Sequence, residues 1–234
     1  MLDFERLKKY AGGYFPGIKD ADIEKTALYG ELVLERNRAM NLTAISGPEA
    51  FVDKHLLDSL AAAALPEIAG EVCDVGSGAG FPGAVIAAVR EDARLTLLDS
   101  TKKKLEFAAE ACAKAEISAK TLHARAEEAA RRACRESFDS AVSRAVARLA
   151  ALCELCLPLV KVGGCFVAMK GPSFEEELRE AEGAIAKLGG SFKKTVSYEL
   201  PDGDRRALII IEKIQPTPEA YPRAGAKIIK SPLR

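Results

Sequence analysis

The segment from Glu71 to Glu91 runs from a short β-rich stretch, "EVCDV", into a loop with four glycines in the eleven residues "CDVGSGAGFPG" (73–83). It continues into an apolar stretch of helical character, "AVIAAVRE". A strand that turns tightly into a helix is the opening of a crossover, and crossovers are how parallel strands are joined. The rhythm repeats in "RLTLLDS", "AKTLHA", "FDSAVSR" and "GCFVAMK", and each gap between these runs is long enough for a helix. The pattern predicts a parallel sheet covered on both faces. The end of the chain departs from it. After a charged helical segment, "SFEEELREAEGAIAKLG", two further runs, "SFKKTVSYEL" and "RRALIIIEKI", are separated only by "PDGD", in which Asp202-Gly203 is a hairpin signal. The expected fold class is α/β and Rossmann-like, a mostly parallel seven-stranded sheet with a terminal antiparallel hairpin.

Residues 1–66 read as an N-terminal helical extension. "DADIEKTALYGELVLERN" offers Asp20 or Asp22 as N-cap, and "GPEAFVDKHLLDSLAAAAL" opens with Pro48 in a first-turn position. In the second segment Phe51, Val52, His55, Leu56, Ser59, Leu60 and Ala63 recur at helical spacing on one face, and Leu65-Pro66 ends it. The predicted division is thus 1–66, an α/β domain over 67–214, and a tail over 215–234. That tail, "QPTPEAYPRAGAKIIKSPLR", carries Arg223, Lys227, Lys230 and Arg234 and no acid after Glu219.

At 234 residues and 48% hydrophobic, the chain can bury one full domain core with an extension to spare. Lys plus Arg and Asp plus Glu both total 34, so no global field draws the molecule onto a polyanion, and nucleic-acid affinity must come from local patches. No apolar run approaches the roughly 20 residues of a membrane span. The start, "MLDFERLKKYAGG", lacks the apolar core of a signal peptide, so a cytoplasmic protein is expected. Six scattered cysteines suit reduced core thiols. Cys153 and Cys156 form one CxxC inside the apparent helix "AVARLAALCELCLPLV", and with His55 and His123 as the only histidines a zinc set is incomplete. No metal site is expected.

The glycine loop fits two templates. Gly78, Gly80 and Gly83 spell GxGxxG, and Asp99 follows about twenty residues on, at the end of the next strand, where a dinucleotide's ribose would be held. Gly76, Gly78 and Gly80 also spell GxGxG, preceded by Asp74. A carboxylate there opposes a pyrophosphate and suits a ligand with an ammonium group, such as S-adenosylmethionine. A Walker-type phosphate loop is excluded because no Gly-Lys-Ser/Thr follows.

Further blocks carry a resemblance. "RNRAMNLTAI" (36–45), "DKHLLDSL" (53–60), "DVGSGAGFPG" (74–83), "LTLLDSTKKKLEF" (95–107), "ARAEE" (124–128), "VSRAVARL" (142–149), "LCLPLVKVGGCFVAMKG" (155–171) and "YPRAGAKIIKSPLR" (221–234) occur in order. From about residue 20 to the C-terminus the chain resembles the bacterial 16S ribosomal RNA guanine-N7 methyltransferases, the glucose-inhibited division protein B family. The resemblance implies a class I methyltransferase fold, S-adenosylmethionine as cofactor, 16S rRNA or the small ribosomal subunit as partner, and a monomer. It places Gly76, Gly78, Gly80 and Phe81 in the cofactor loop, Asp99 at the ribose, Ala126 and Glu127 beside the adenine, and Arg144 near the methyl donor. For Arg144 the competing reading is an ion-paired arginine at a helix start.

Guanine N7 already carries a lone pair, so no general base is expected; catalysis would rest on alignment and exclusion of water. The Asn/Asp-Pro-Pro-Tyr/Phe loop of amino-group methylation is absent, and no cysteine follows a proline. Arg148, Lys170, Arg223 and Lys227 are candidate phosphate contacts, against the alternative of a solvated basic surface. His55 is a candidate substrate contact, against the alternative of a hydrogen-bonded core histidine. Two rival functions stand beside this reading: a dinucleotide-dependent oxidoreductase and a non-catalytic S-adenosylmethionine-responsive RNA-binding module.

Overall fold

The β-rich runs become strands β1 (Gly70–Val75), β2 (Ala93–Asp99), β3 (Ala119–His123), β4 (Phe138–Arg144), β5 (Val160–Lys170), β6 (Gly190–Glu199) and β7 (Arg205–Lys213) of one sheet. The computed structural model describes residues 1–45, 47–144 and 147–234; Ala145 and Val146, within "VSRAVARL" and the start of the expected CxxC helix, lie outside the described residues. The strand order is β3-β2-β1-β4-β5-β7-β6. β1 pairs in parallel with β2 and with β4, and β7 is antiparallel to both β5 and β6. The chain therefore winds outward from β1 to β3 and then returns to β4 on the other side of β1. That reversal opens a crevice at the C-terminal ends of β1 and β4, where open α/β sheets bind ligands.

Because strand side chains alternate, both sheet faces need covering. Val72, Val142, Val167 and Ile210 point to one face, Cys73, Ala141, Phe166 and Ile211 to the other, in two separate apolar clusters. The first face is covered by α1 (Phe4–Tyr14), α2 (Asp20–Met40), the helical run from Pro48 to Ala63, α5 (Gly83–Val89) and α6 (Lys102–Lys114), with Leu7, Tyr29, Phe51 and Leu60 fully buried. Residues 1–66 thus share a core with the sheet. The second face is covered by α7 (Ala126–Ala130), α8 (Leu149–Cys156), α9 (Phe174–Lys187) and, from the tail, α10 (Gly225–Lys230), whose Ile228 is fully buried. The CxxC lies in α8, and burial pushes both thiols up.

Two helices differ from their sequence patterns. α2 starts at Asp20 itself, with Lys19 as N-cap and no side-chain cap; Asp20 and Asp22 sit in the first turn, where their charges complement the helix dipole. The run from Pro48 is broken into α3 (Pro48–Phe51), a π-helical turn (Val52–Leu57) and α4 (Asp58–Ala63). A π turn takes in an extra residue and rotates those that follow. It turns Asp53, Leu57 and Asp58 inward with the expected apolar set, and both buried carboxylates find partners, Asp53 in a bidentate pair with Arg6 at 2.7 Å through Nε and Nη2.

Candidate functional site

At the end of β1 the chain needs positive φ to turn under α5, and the glycines supply it: φ is 75° at Gly76, 56° at Gly78 and 90° at Gly80. Each has a different task. Gly76 donates its N–H to the Leu98 carbonyl (2.8 Å), binding the loop to the end of β2. Gly78 donates to Asp99 Oδ2 (2.9 Å), while Asp99 Oδ1 accepts from the Thr101 N–H (2.7 Å). The Asp99 carboxylate is thereby fixed by main chain and keeps further lone pairs for a ligand. Beside it lies a cavity of about 380 Å³ that includes Gly76, Leu98, Asp99, Ala126, Glu127 and Ile229.

That volume is in the range of small-molecule sites. Two carboxylates among apolar walls, Asp99 fixed by main chain and Glu127 buried, suit the hydroxyls and base of a nucleoside. In the adjoining loop, Ser77 Oγ is buried without a hydrogen-bond partner among the described residues, and a Cβ built on Gly78 has only the Gly76 carbonyl near it, at 4.0 Å. These acceptors, with one unpartnered hydroxyl, therefore fit S-adenosylmethionine.

Gly78 does not line this cavity and meets it only through its bond to Asp99, and the structure does not bring Gly80, Phe81 or Asp74 to it. A Cβ on Gly80 would run into the Tyr29 hydroxyl, which donates to the Ala79 carbonyl at 2.7 Å, so Gly80 serves the packing of α2 on the loop. Phe81 is buried among Tyr29, Phe51 and His55, stacked on the last with centroids 4.8 Å apart. Asp74, read from sequence as facing an ammonium group, points instead beneath α5. Its Oδ2 accepts the Gly83 N–H (2.8 Å), and burial raises its pKa to about 7. Strand alternation decides this, since Cys73 and Val75 take the opposite face.

A second cavity, of about 510 Å³, lies past the end of β4 and includes His55, Asp58, Arg144, Arg148, Lys170 and Arg206. Its floor is a hydrogen-bonded chain of side chains. Arg144 Nη1 donates to the Lys54 carbonyl (2.9 Å) in the π turn and to Asp58 Oδ2 (3.1 Å), and Nη2 donates to His55 Nδ1 (2.8 Å). Tyr198, on β6, donates to Asp58 Oδ1 (2.7 Å). Since arginine only donates, His55 Nδ1 is the acceptor, and Nε2 carries the proton that it gives to Thr43 Oγ1 (2.8 Å). Burial, and then the Arg144 charge, lower the His55 pKa to about 3. The imidazole is neutral at physiological pH.

Local sequence explains this placement. Asn41 ends α2 in the left-handed conformation that asparagine tolerates, and the Asn37 side chain both accepts from the Thr43 N–H and donates to its carbonyl, each at 2.9 Å. Thr43 is so delivered to His55. On the other side, Lys54 pairs with Asp202 (3.1 Å) and Asp204 (2.9 Å) of the hairpin turn.

The basic candidates divide. Lys170 is buried on the second cavity's wall, bonded to the Ala147 carbonyl (2.7 Å) and Glu177 (2.8 Å). Arg148 is half-exposed there and paired with Glu180. Lys227 is exposed on α10. Arg223, expected at an RNA surface, is instead consumed by Glu154: its backbone N–H (2.7 Å), Nε (2.9 Å) and Nη2 (2.7 Å) all reach that fully buried carboxylate. It anchors the tail. Thr43, Tyr198, Arg206 and Ile229 were not singled out by sequence, and all but Thr43 lie in elements whose periodicity reports core packing, not sites. Among the described residues no group of three or more His, Cys, Asp or Glu could hold a metal.

Known proteins resemble this chain in sequence and in fold. The family described as rRNA small subunit methyltransferase G matches residues 22–208. A protein of that name from Clostridium perfringens is 42% identical over 239 aligned positions, covering 100% of each chain. Another, from Symbiobacterium thermophilum, is 46% identical over 222 positions and 90% of each chain. Among solved structures, the O-methyltransferase from Bacillus cereus in complex with SAH superposes with a TM-score of 0.59 over 88% of this chain and 96% of that one, at 16% identity. The fibrillarin pre-rRNA processing protein of Methanococcus jannaschii gives 0.50 over 64% and 70%, at 17% identity. These two show the fold alone.

Proposed function

Since the chain belongs to the rRNA small subunit methyltransferase G family, whose members are S-adenosylmethionine-dependent enzymes, we propose that the Gly76–Asp99 cavity holds the cofactor. In the same reading the cavity under Arg144 receives the guanine of 16S rRNA that is methylated at N7. The observation that carries this assignment is the position of Arg144. Its guanidinium lies over the ring of Phe81, in the glycine loop, at 5.6 Å, and it also lines the second cavity. The arginine thus joins the buried underside of the glycine loop to the acceptor pocket.

Bound S-adenosylmethionine supplies an electrophilic methyl group on a sulfonium. Asp99 and Glu127 hold the ribose and adenine. Arg144 uses three hydrogen bonds on Lys54, Asp58 and His55, leaving Nε–H and one Nη2–H without a partner among the described residues. Directed at guanine O6, these donors orient the base while N7 keeps its lone pair for the methyl carbon. Both His55 nitrogens are engaged, so this side chain holds the plane of Arg144 and takes no proton. Asp58 sets a fixed negative charge beside the positive charge that the ring acquires on methylation. Arg148 and Lys170 face the same cavity, where an RNA phosphate would enter.

Against the dinucleotide that the GxGxxG spacing also allows stands the sheet topology. The sheet closes with the antiparallel β7 where a dinucleotide fold would continue in parallel. We place the enzyme in the cytoplasm, where 16S rRNA and small subunits would reach it; no described helix is long and apolar enough to cross a membrane. The test is incubation with labelled S-adenosylmethionine and small subunits from a strain lacking the enzyme, followed by mass spectrometric mapping of 16S rRNA. One 7-methylguanine is expected; a methyl on another atom, or RNA binding without transfer, would overturn the proposal.

A further inference from the structure

The tail's basic residues point by sequence to RNA, yet its structure points to the cofactor cavity. Residues 221–234 are tied down on both sides of α10. Ahead of it, Arg223 is bound to the buried Glu154, and the carbonyls of Tyr221 and Pro222 are held by Arg135 (3.0 Å) and Arg131 (2.7 Å). Behind it, Arg223 Nη2 also donates to the Ser231 carbonyl (3.0 Å), and Lys187 donates to that of Arg234 (2.9 Å). Arg223 thus grips both ends of the helix at once. Between the ties, Ile228 is fully buried in the core, whereas its neighbour Ile229 is 55% exposed and lines the cavity beside Gly225. A Cβ at Gly225 would meet the Glu127 carboxylate, which shows how closely α10 is seated on the cavity wall.

A large apolar side chain held in place at a cavity mouth loses hydration cost only when something covers it. We propose that the segment from Arg223 to Ser231 is a cofactor-binding strap, in which Ile229 closes over the nucleoside of bound S-adenosylmethionine and the Arg223–Glu154 pair fixes the strap across the cavity. This rests on the assignment of that cavity to the cofactor. It gives the tail a role in cofactor affinity and exchange that does not depend on RNA.

The experiment is calorimetric titration of the full chain with S-adenosylhomocysteine. In Ile229→Ser the dissociation constant should rise about tenfold, because part of an isoleucine's burial is lost. The ligand-free melting temperature should hold, since Ile229 is outside the core. The double variant Arg223→Gln with Glu154→Gln, which loosens the strap without leaving a buried unpaired charge, should weaken binding in the same direction. If the unsubstituted chain binds and Ile229→Ser binds equally well, the strap is overturned while the cavity assignment stands. If the unsubstituted chain binds no S-adenosylhomocysteine, the cavity assignment fails, and the strap with it.

Discussion

The two cavities flank the same crevice but are made of different material. The one beside β1 and β2 is built from main chain: Gly76 and Gly78 shape it through positive φ, and its carboxylate Asp99 is fixed by backbone N–H groups. The one beyond β4 is built from side chains that hold one another, from Thr43 through His55, Arg144 and Asp58 to Tyr198. A main-chain site is sensitive to any added Cβ, while a side-chain network is sensitive to loss of particular donors and acceptors. The first arrangement suits a cofactor that never varies. The second suits a base that must be oriented against a charge developing during reaction.

Substitutions on the two sides should therefore fail in different ways. Gly78→Val forces a β-branched residue to φ of 56° at the centre of the loop, with no clash inside the protein. Cofactor affinity should fall by about a hundredfold or more on the calorimeter with the fold retained. Gly80→Val, two residues on, collides with Tyr29 and should instead lower stability by about 3 kcal/mol in urea titration. Equal losses of cofactor affinity with unchanged stability in both would erase the distinction drawn between these glycines. On the other side, Arg144→Ala should slow methyl transfer by roughly a hundredfold while leaving the cofactor dissociation constant within about twofold. A large loss of cofactor affinity would move Arg144 into the first cavity.

The same contrast governs what could be read from sequence. All seven strands were legible: the central ones because strands buried on both faces are short apolar runs between turn residues, the more exposed edge strands β3 and β6 because their neighbours set the rhythm and Asp202-Gly203 marked the hairpin. The main-chain half of the site was legible for the same reason that it is robust: glycines at fixed spacing record backbone geometry locally. The side-chain half was not. Tyr198 reaches Asp58 across 140 residues of sequence, and the inward turn of Asp58 depends on the π turn that Lys54 and Arg144 complete, which no helical period announces. Arg223 misled for a related reason. A basic residue in a proline-rich tail looks solvated until its partner 69 residues away, Glu154 in the middle of α8, is seen to be buried.

Each side also buries a titratable group, and the two act on stability with opposite sign. Asp74 under the glycine loop is raised from 3.8 to about 7 by burial, so between these values the folded protein holds a proton that the unfolded chain has lost. Its contribution is complete below about pH 4 and disappears as pH rises through 7. His55 is lowered from 6.5 to about 3 by burial and the Arg144 charge, so its contribution is present above pH 6.5 and disappears as pH falls toward 3. From about pH 4 to 6.5 the slopes oppose each other, each at most about 1.4 kcal/mol per pH unit. Asp74→Asn, compared with the parent by urea titration across this range, should make stability rise more steeply with pH. His55→Gln, which can still accept from Arg144 and donate to Thr43, should make it fall. Parallel profiles for parent and variants would show that neither group is held as the structure implies.

The smallest effect expected is the most informative about the network. Tyr198→Phe removes one hydroxyl from Asp58, which keeps Arg144 at 3.1 Å and has Arg206 Nε at 3.7 Å. Because the carboxylate retains charged partners, stability should drop by only about 1 kcal/mol. Cofactor affinity should be unchanged, since β6 lies at the far edge of the sheet from β2. The network argument requires more than a stability loss, however: if Tyr198 sets the orientation of Asp58 and through it Arg144, methyl transfer at saturating cofactor should slow by roughly threefold to tenfold. The double variant Tyr198→Phe with Arg144→Ala should then be scarcely slower than Arg144→Ala alone, because the tyrosine acts only through the arginine. If the two losses multiply instead, Tyr198 and Arg144 work independently and the second cavity is a set of separate contacts, not a chain.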